Sequence, residues 1–149
     1  MLKIITVGKK PPTWINEPVQ SYSKRLHARF KPKWIIIPNS AQADPETAKN
    51  AESTQILNKV GTDFLILLDE TGKNFSSPEI AEILDQKLTN NICLVIGGAY
   101  GVSNQLKTRA NIIWSLSRLV FPHQIVRLIL IEQLYRAQCI IEHHPYHHQ

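Results

Sequence analysis

Short apolar runs alternate with amphipathic stretches along this chain. The runs are rich in β-branched residues, which is typical of strands, and they lie at residues 2–7, 33–37, 64–68, 92–96 and 112–116. Helical spacing of apolar residues predicts helices at 13–29, 45–61, 77–88, 103–110 and 125–142. Because strands and helices alternate, we predict one α/β domain over residues 1–149, with a mostly parallel sheet and helices on both faces.

Local signals mark several of the boundaries. Thr13 and Ser103 are suited to cap helices, and Asp44 stands before a proline in the first turn of another. The polar stretch 69–73 contains a glycine and predicts a turn directly after the third strand. Residues 143–149 are too few and too polar for a further element.

Three predicted strands end where a ligand can approach the backbone. Their carboxyl ends are Leu68-Asp69, Gly97-Gly98 and Leu116-Ser117, and ligands of parallel sheets bind beyond such ends. Gly97, Gly98 and Gly101 give the middle loop a backbone that is free of side chains. We therefore expect the three loops to form one ligand site, although the glycines alone are equally consistent with a simple tight turn.

The chain lacks several common motifs of nucleotide-binding proteins and hydrolases. The glycine stretch lacks the G-x-G-x-x-G spacing of dinucleotide folds, and the chain has no G-x-x-x-x-G-K-[ST] phosphate loop. Ser117 and His123 suggest a nucleophile and a base, but no G-x-S-x-G elbow surrounds the serine. A Rossmann dehydrogenase, an NTPase and a serine hydrolase are all disfavoured.

Composition bears on the cellular location of the protein. The sequence is 43% hydrophobic and 19% charged, which is ordinary for a globular chain, and no apolar run is long enough to span a bilayer. The first strand contains Lys3 and no small-residue cleavage site, so it does not resemble a secretory signal. Cys93 and Cys139 lie in apolar segments and are expected to be buried thiols. We expect a cytoplasmic protein with no membrane partner.

Positive charge is concentrated near the amino end. Residues 1–33 hold eight lysines and arginines against the single acid Glu17, a net charge of +7. Trp14, Tyr22 and Phe30 lie within that segment, and cations with aromatic side chains suit RNA. The alternative is a solvated basic helix whose aromatic residues belong to the core.

Two further groups of polar residues could carry chemistry, but each also has a simple structural explanation. The tail histidines His143, His144, His147 and His148 lack an accompanying cysteine or carboxylate shell, so we expect no metal site. In the last helix the polar or charged positions are Arg127, Glu132, Tyr135, Arg136 and Glu142. They would form an exposed stripe with an i, i+4 pair between Glu132 and Arg136 if they had no catalytic part.

An ordered set of motifs carries a resemblance to one family. It comprises Ile96-Gly-Gly-Ala-Tyr-Gly101, Trp114-Ser-Leu-Ser117, Phe121-Pro-His123, Arg127, Glu132-Gln-Leu-Tyr-Arg-Ala137 and His144-Pro-Tyr-His147. In this order and over nearly the full length, the set resembles the RlmH family of SPOUT-class methyltransferases, which act on a pseudouridine of 23S rRNA. The resemblance implies a C-terminal trefoil knot, S-adenosylmethionine (SAM) as methyl donor, a homodimer, and rRNA or the 70S ribosome as partner.

The resemblance also assigns residues to roles. By motif position the family's cofactor contacts fall on Leu68, Gly97, Leu116, Ser117, Arg118, Leu119, Val120 and Phe121, and the glycine loop adds Gly98 and Gly101. Candidates for removing the proton from pseudouridine N3 are His123, Glu132, Tyr146 and His147, with no choice among them. Candidates for binding RNA phosphates are Lys9, Lys10, Arg25, Arg127 and Arg136.

The chain departs from common members of the family at two positions. Tyr100 stands in the glycine loop where many members carry an acid, and His148 stands where arginine or lysine is common. The first departure argues against a catalytic loop carboxylate, and the second makes RNA contact by the tail dependent on pH. Two competing hypotheses are a ribosome-associated RNA-binding protein without catalysis and an α/β enzyme with another nucleotide cofactor.

Overall fold

Strands and helices alternate throughout residues 1–148, which are the residues described by the computed structural model. The strands are β1 (Leu2–Val7), β2 (Lys33–Ile37), β3 (Phe64–Asn74), β4 (Ile92–Ile96) and β5 (Ile112–Ser115). The helices are α1 (Thr13–Arg25), α2 (Pro45–Val60), α3 (Ser77–Lys87), α4 (Asn104–Arg109) and α5 (His123–Ile141). The predicted alternation is confirmed.

The strands form one sheet in the order β2-β1-β4-β3-β5, and every neighbouring pair is parallel. Strand β4 is central, and all of its residues are buried. One face packs against α1, α3 and α5 through residues such as Ile15, Leu84 and Leu130, while the other packs against α2 and α4 through Ile56 and Leu106. The predicted parallel sheet with helices on both faces is therefore confirmed.

Strand β3 is longer than its apolar run predicts. The strand continues past Leu68 to Asn74, and its pairing with β5 shifts register between Leu68 and Lys73. A Cβ on Gly72 would lie 2.5 Å from the backbone oxygen of Ile113, so the two backbones approach closely there. Residues 69–72 have no register partner on β5, and Asp69 Oδ1 accepts from the Thr71 N–H at 2.9 Å. The predicted turn is therefore a bend inside a longer, irregular strand that pairs with β5 again from Lys73.

Two helix boundaries also differ from the prediction. Helix α1 ends at Arg25 rather than at residue 29, because Leu26 is extended and buried and the chain then turns toward β2. Helix α5 begins at His123, directly after Pro122. That early start places His123 at the carboxyl edge of the sheet, where β3, β4 and β5 end.

Candidate active site

A cavity of about 260 Å³ lies beyond the carboxyl ends of β3, β4 and β5. The predicted cofactor contacts that line it are Leu68, Gly97, Gly98, Gly101, Leu116, Ser117, Leu119, Val120 and Phe121. Arg118 is exposed and lies outside this lining, so its contact remains a prediction. The structure thus brings the three strand-end loops together at one cavity, as parallel strand ends require.

The glycine loop is shaped by contacts that exclude larger residues. A Cβ on Gly97 would lie 2.6 Å from Val102 Cγ1, and one on Gly98 would lie 2.7 Å from Glu52 Oε2. Gly101 has a φ of +80°, and its N–H donates to the Gly98 oxygen at 3.0 Å. The glycines therefore make a tight turn and also leave backbone without side chains on the cavity wall. The tight-turn interpretation and the ligand-loop interpretation are thus compatible.

The loop from β5 to α5 presents apolar side chains at the cavity. Ser117 Oγ accepts from the Leu119 N–H at 3.1 Å, which fixes the bend of this loop. Leu119 is 68% exposed and Val120 is 80% exposed, although both line the cavity. Exposed apolar side chains beside a cavity are suited to contact with a ligand or with another chain.

His123 is the predicted catalytic residue that lines this cavity. Its half-buried position lowers the pKa of the imidazole from the ordinary value of 6.5, and the positive charge of Arg127 lowers it further. The charge of Glu52 and a hydrogen bond with the Gly97 backbone oppose that shift. A neutral imidazole is therefore favoured at pH 7, in the form that can accept a proton.

The other predicted catalytic residues lie in a separate group, which we call the Glu132 cluster: Glu132, Arg136, Tyr146 and His147. Arg136 Nη2 donates to Glu132 Oε1 at 2.6 Å, and the Tyr146 hydroxyl donates to the same oxygen at 3.0 Å. Arg136 Nη1 lies 3.1 Å from His147 Nδ1. None of the four lines the cavity within the described chain.

Hydrogen bonding within the Glu132 cluster leaves little free capacity. Glu132 Oε2 also accepts from Gln133 Nε2 at 2.7 Å, so both carboxylate oxygens are occupied. Burial, and then hydrogen bonds with Tyr22 and Glu132, raise the pKa of Tyr146. Its ring packs edge-on against Tyr135 with centroids 4.7 Å apart. Tyr146 is a neutral phenol that stabilises the tail against α1 and α5.

The predicted RNA-binding residues are distributed unevenly. Lys9, Lys10 and Arg25 are exposed at the surface, whereas Arg136 is partly buried in the Glu132 cluster. Arg127 is only 2% exposed, and its Nη1 donates to the Lys9 oxygen at 3.0 Å. The expectation of an exposed stripe on the last helix is therefore wrong for Arg127, because this face of α5 packs toward the β1–α1 loop.

The aromatic residues of the basic segment divide between core and surface. Phe30 is fully buried, as the core alternative predicts, whereas Trp14 is 63% exposed. Glu52 was not predicted at all, although it is buried under the glycine loop and accepts from the Ser40 N–H at 3.3 Å. Nothing near Glu52 in the sequence distinguishes it from an ordinary polar helix position.

Two further observations bear on the class of protein. Residues 1–148 contain no group of three or more histidine, cysteine or acidic side chains that could hold a metal ion. Within the same residues, no helix has both the length and the apolar character needed to cross a membrane. Cys93 and Cys139 are free and buried. Gln149, the last residue of the tail, lies outside the described range.

Comparison with known proteins identifies relatives of this chain. A family model described as "Predicted SPOUT methyltransferase" matches residues 1–147. A Legionella pneumophila (strain Paris) protein named ribosomal RNA large subunit methyltransferase H is 43% identical, covering 99% of each chain. A Dichelobacter nodosus protein of the same name is 40% identical, covering 98% of this chain and 97% of its own.

Similarity to solved structures extends to the fold. A probable methylase family protein from Haemophilus influenzae superposes with a TM-score of 0.63 at 9% identity, covering 99% of this chain and 70% of that one. A probable methyltransferase from Bordetella pertussis gives a TM-score of 0.58 at 12% identity, covering 91% of this chain and 95% of that one.

Proposed function

This chain belongs to the SPOUT methyltransferase family, and from that premise we propose that it methylates N3 of a pseudouridine in 23S rRNA on the 70S ribosome. It is an rRNA methyltransferase with SAM as its methyl donor. The single observation that carries the proposal is the cavity that the three strand-end loops share. The particular nucleotide and the assembled ribosome are the proposed refinements.

The residues of the cavity fit SAM. Gly97 and Gly98 line the cavity without side chains, and Leu68 and Leu116 supply apolar walls for the adenosine. When bound, SAM supplies an electrophilic methyl group on its sulfonium. The protein therefore has to hold the cofactor, orient the nucleotide and help to remove one proton.

We propose that His123 accepts the proton from pseudouridine N3. The imide nitrogen attacks the methyl carbon only after it loses its proton, so a base must stand near the cavity. His123 lies on the cavity wall, and its lowered pKa favours the neutral imidazole. Glu132, Tyr146 and His147 are held in another cluster of the same chain, which argues against that part for them within one subunit.

We further propose a homodimer in which the tail of one subunit reaches the cavity of its partner. Leu119 and Val120 are apolar and exposed at the cavity, and a partner chain would cover them. The proposal includes one domain over residues 1–149, the trefoil knot near the C-terminus, and a cytoplasmic location where ribosomes are present. The parallel sheet with a core on both faces supports the single domain.

Calorimetric titration with SAM tests the cavity directly. We expect wild type to bind, and a Gly97→Trp variant to lose binding because its Cβ would already lie 2.6 Å from Val102 Cγ1, so the loop on the cavity wall has to shift. Asn104→Trp, at an exposed position of α4, is the matched control and should bind like wild type. If folded wild type failed to bind SAM, the cavity would not be a cofactor site.

The substrate requires its own assay. Purified protein and SAM should add one methyl group to ribosomes that lack the modification, and mass spectrometry of digested rRNA should place it on N3 of a pseudouridine. Naked 23S rRNA should be a much poorer substrate. Methylation of another base, or equal activity on naked RNA, would contradict the corresponding refinement.

A further inference from the structure

Arg127 is a buried cation whose hydrogen-bond donors have no part in the proposed methyl transfer. Its Nη1 donates to the Lys9 oxygen, but Nε and Nη2 are buried and have no hydrogen-bond partner within residues 1–148. Leaving a buried charged donor without an acceptor is costly, and folded proteins rarely keep such groups. The orphaned donors therefore point to an anionic acceptor.

The same side chain lines a second cavity of about 310 Å³, which we call the Arg127 pocket. The pocket lies between the β1–α1 loop, α1, β2 and α5, and Lys10 and Trp34 are also part of its lining. It shares no lining residue with the SAM cavity in the described chain, since Arg127 and Val126 face different cavities from adjacent positions of α5. The two sites are thus separate.

The unpaired atoms of Arg127 are suited to a phosphate. Nε and Nη2 lie along one edge of the planar guanidinium, and such an edge binds two oxygens of one phosphate or carboxylate. Both atoms are buried here, so binding requires a turn of the Arg127 side chain that opens this edge to the pocket. Lys10 adds a second cation, and none of the described lining residues is acidic. Trp34 supplies an aromatic wall, on which an unpaired base can stack.

We propose that the Arg127 pocket binds one unpaired nucleotide of the rRNA substrate, with its phosphate on Arg127 and Lys10 and its base against Trp34. The inference rests on the function proposed above, in that rRNA is the substrate. Charge favours RNA over a second copy of this chain, because residues 1–33 carry +7 and the whole chain carries +5. The nucleotide would anchor the RNA while another nucleotide reaches the SAM cavity.

Titration with uridine 5′-monophosphate (UMP) tests the pocket in protein that is saturated with SAM. The indole N–H resonances report binding by NMR. We expect Arg127→Lys, which keeps the charge and loses the planar edge, to weaken UMP binding at least tenfold. Trp34→Leu should weaken it severalfold. Lys24→Met, which removes an exposed charge of α1 outside the pocket, should change it less than twofold.

Uridine separates the phosphate from the base. Wild type should bind uridine more weakly than UMP, and Arg127→Lys should leave uridine binding unchanged. Unaltered UMP affinity in both Arg127→Lys and Trp34→Leu would overturn the proposal. A dimer that dissociates in Arg127→Lys without any change in UMP affinity would instead assign the guanidinium edge to an acceptor on a second copy.

Other readouts keep this test separate from the proposed function. SAM affinity, measured by calorimetry, should be the same in wild type and Arg127→Lys, which shows that the variant folds with an intact cofactor cavity. Ribosome methylation by wild type tests the pseudouridine assignment by itself. If wild type binds UMP at the pocket but does not methylate ribosomes, the pocket stands and the substrate assignment fails.

Discussion

The two ends of α5 meet different kinds of site. At its start, His123 faces a cavity whose walls are mostly glycine backbone and apolar side chains, with Asp69, Glu70 and Ser117 also in the lining. Leu119 and Val120 stay exposed beside it. Nine residues farther on, Glu132 belongs to a cluster whose donors and acceptors bind one another. The helical rise separates these positions by about 13 Å along the axis.

Residue types that suit acid–base catalysis are not enough, because their polar atoms can already be engaged in hydrogen bonds within the fold. Glu132 and Tyr146 have the residue types of an acid–base pair, but their polar atoms already hold the tail against the helix. The polar side chains of the cavity are Asp69, Glu70, Ser117 and His123, and this cavity is the proposed cofactor site. Glu132 and Tyr146 can act on a substrate only if they exchange hydrogen bonds that they make in the single chain.

The largest expected effect tests whether the tail acts outside its own cluster. Ending the chain after Glu142 removes Tyr146 and His147, and we expect ribosome methylation to fall by about 100-fold or more, as for loss of groups that position a substrate. SAM affinity should persist, since the cavity lining contains no tail residue of the described chain. Glu82→Gln, at an exposed position of α3, is the control and should preserve activity. Undiminished activity of the truncated protein would show that the tail is structural only.

Breaking the Glu132 cluster from within should lower the free energy of unfolding and leave SAM affinity nearly unchanged. In Glu132→Gln the charge-assisted bond to Arg136 is lost, and we expect the free energy of unfolding to fall by about 1–2 kcal/mol. Glu82→Gln, on an exposed face of α3, should change it by less than about 0.5 kcal/mol. Urea denaturation measures both. A tenfold loss of SAM affinity in Glu132→Gln would show that the two sites are coupled.

The hydroxyl of Tyr146 can be removed while its ring stays. Tyr146→Phe loses the 3.0 Å bond to Glu132 and keeps the ring contact with Tyr135, so we expect a stability loss of about 1 kcal/mol. Tyr100→Phe changes a 60% exposed side chain and should have almost no effect. The same urea titrations compare the two variants. Equal stabilities would mean that the hydroxyl contributes nothing to holding the tail.

The smallest expected effect is a pH dependence that arises at the cavity. Since burial lowers the pKa of His123 below 6.5, the unfolded chain binds a proton more readily than the folded one. The contribution of His123 to the free energy of unfolding is therefore fully present above pH 6.5. It is lost as the pH falls from 6.5 through the lower pKa of the folded state. His123→Gln should flatten that part of the stability profile, measured by thermal unfolding between pH 5 and 8.

A tail histidine provides the control for this pH dependence. His148→Gln changes an exposed residue outside the cavity lining, and the profile should keep its wild-type shape below pH 6.5. If His148→Gln flattened the profile and His123→Gln did not, the pH dependence would belong to the tail rather than to the cavity.

Much of the site could be predicted because it depends on local pattern and on a general property of parallel sheets. The apolar run Ile92–Ile96 followed by Gly97 predicts a buried strand that enters a tight loop, and the structure has both. Strand β3 was misjudged beyond Leu68 because its continuation depends on pairing with β5, more than 40 residues away. The distance between His123 and Glu132 follows from the rise per residue of an α-helix, once both residues are placed on one helix.

The sequence by itself determined the alternation of strands and helices, the parallel sheet and the glycine loop at the end of β4. These features follow from short-range patterns of apolar, β-branched and glycine residues, which act within a few positions of the chain. Only the tertiary structure decided that Glu52 and Arg127 are buried and that Glu132 is paired with Tyr146. Burial and pairing depend on which helix faces meet across the fold, and segments far apart in sequence set those contacts together.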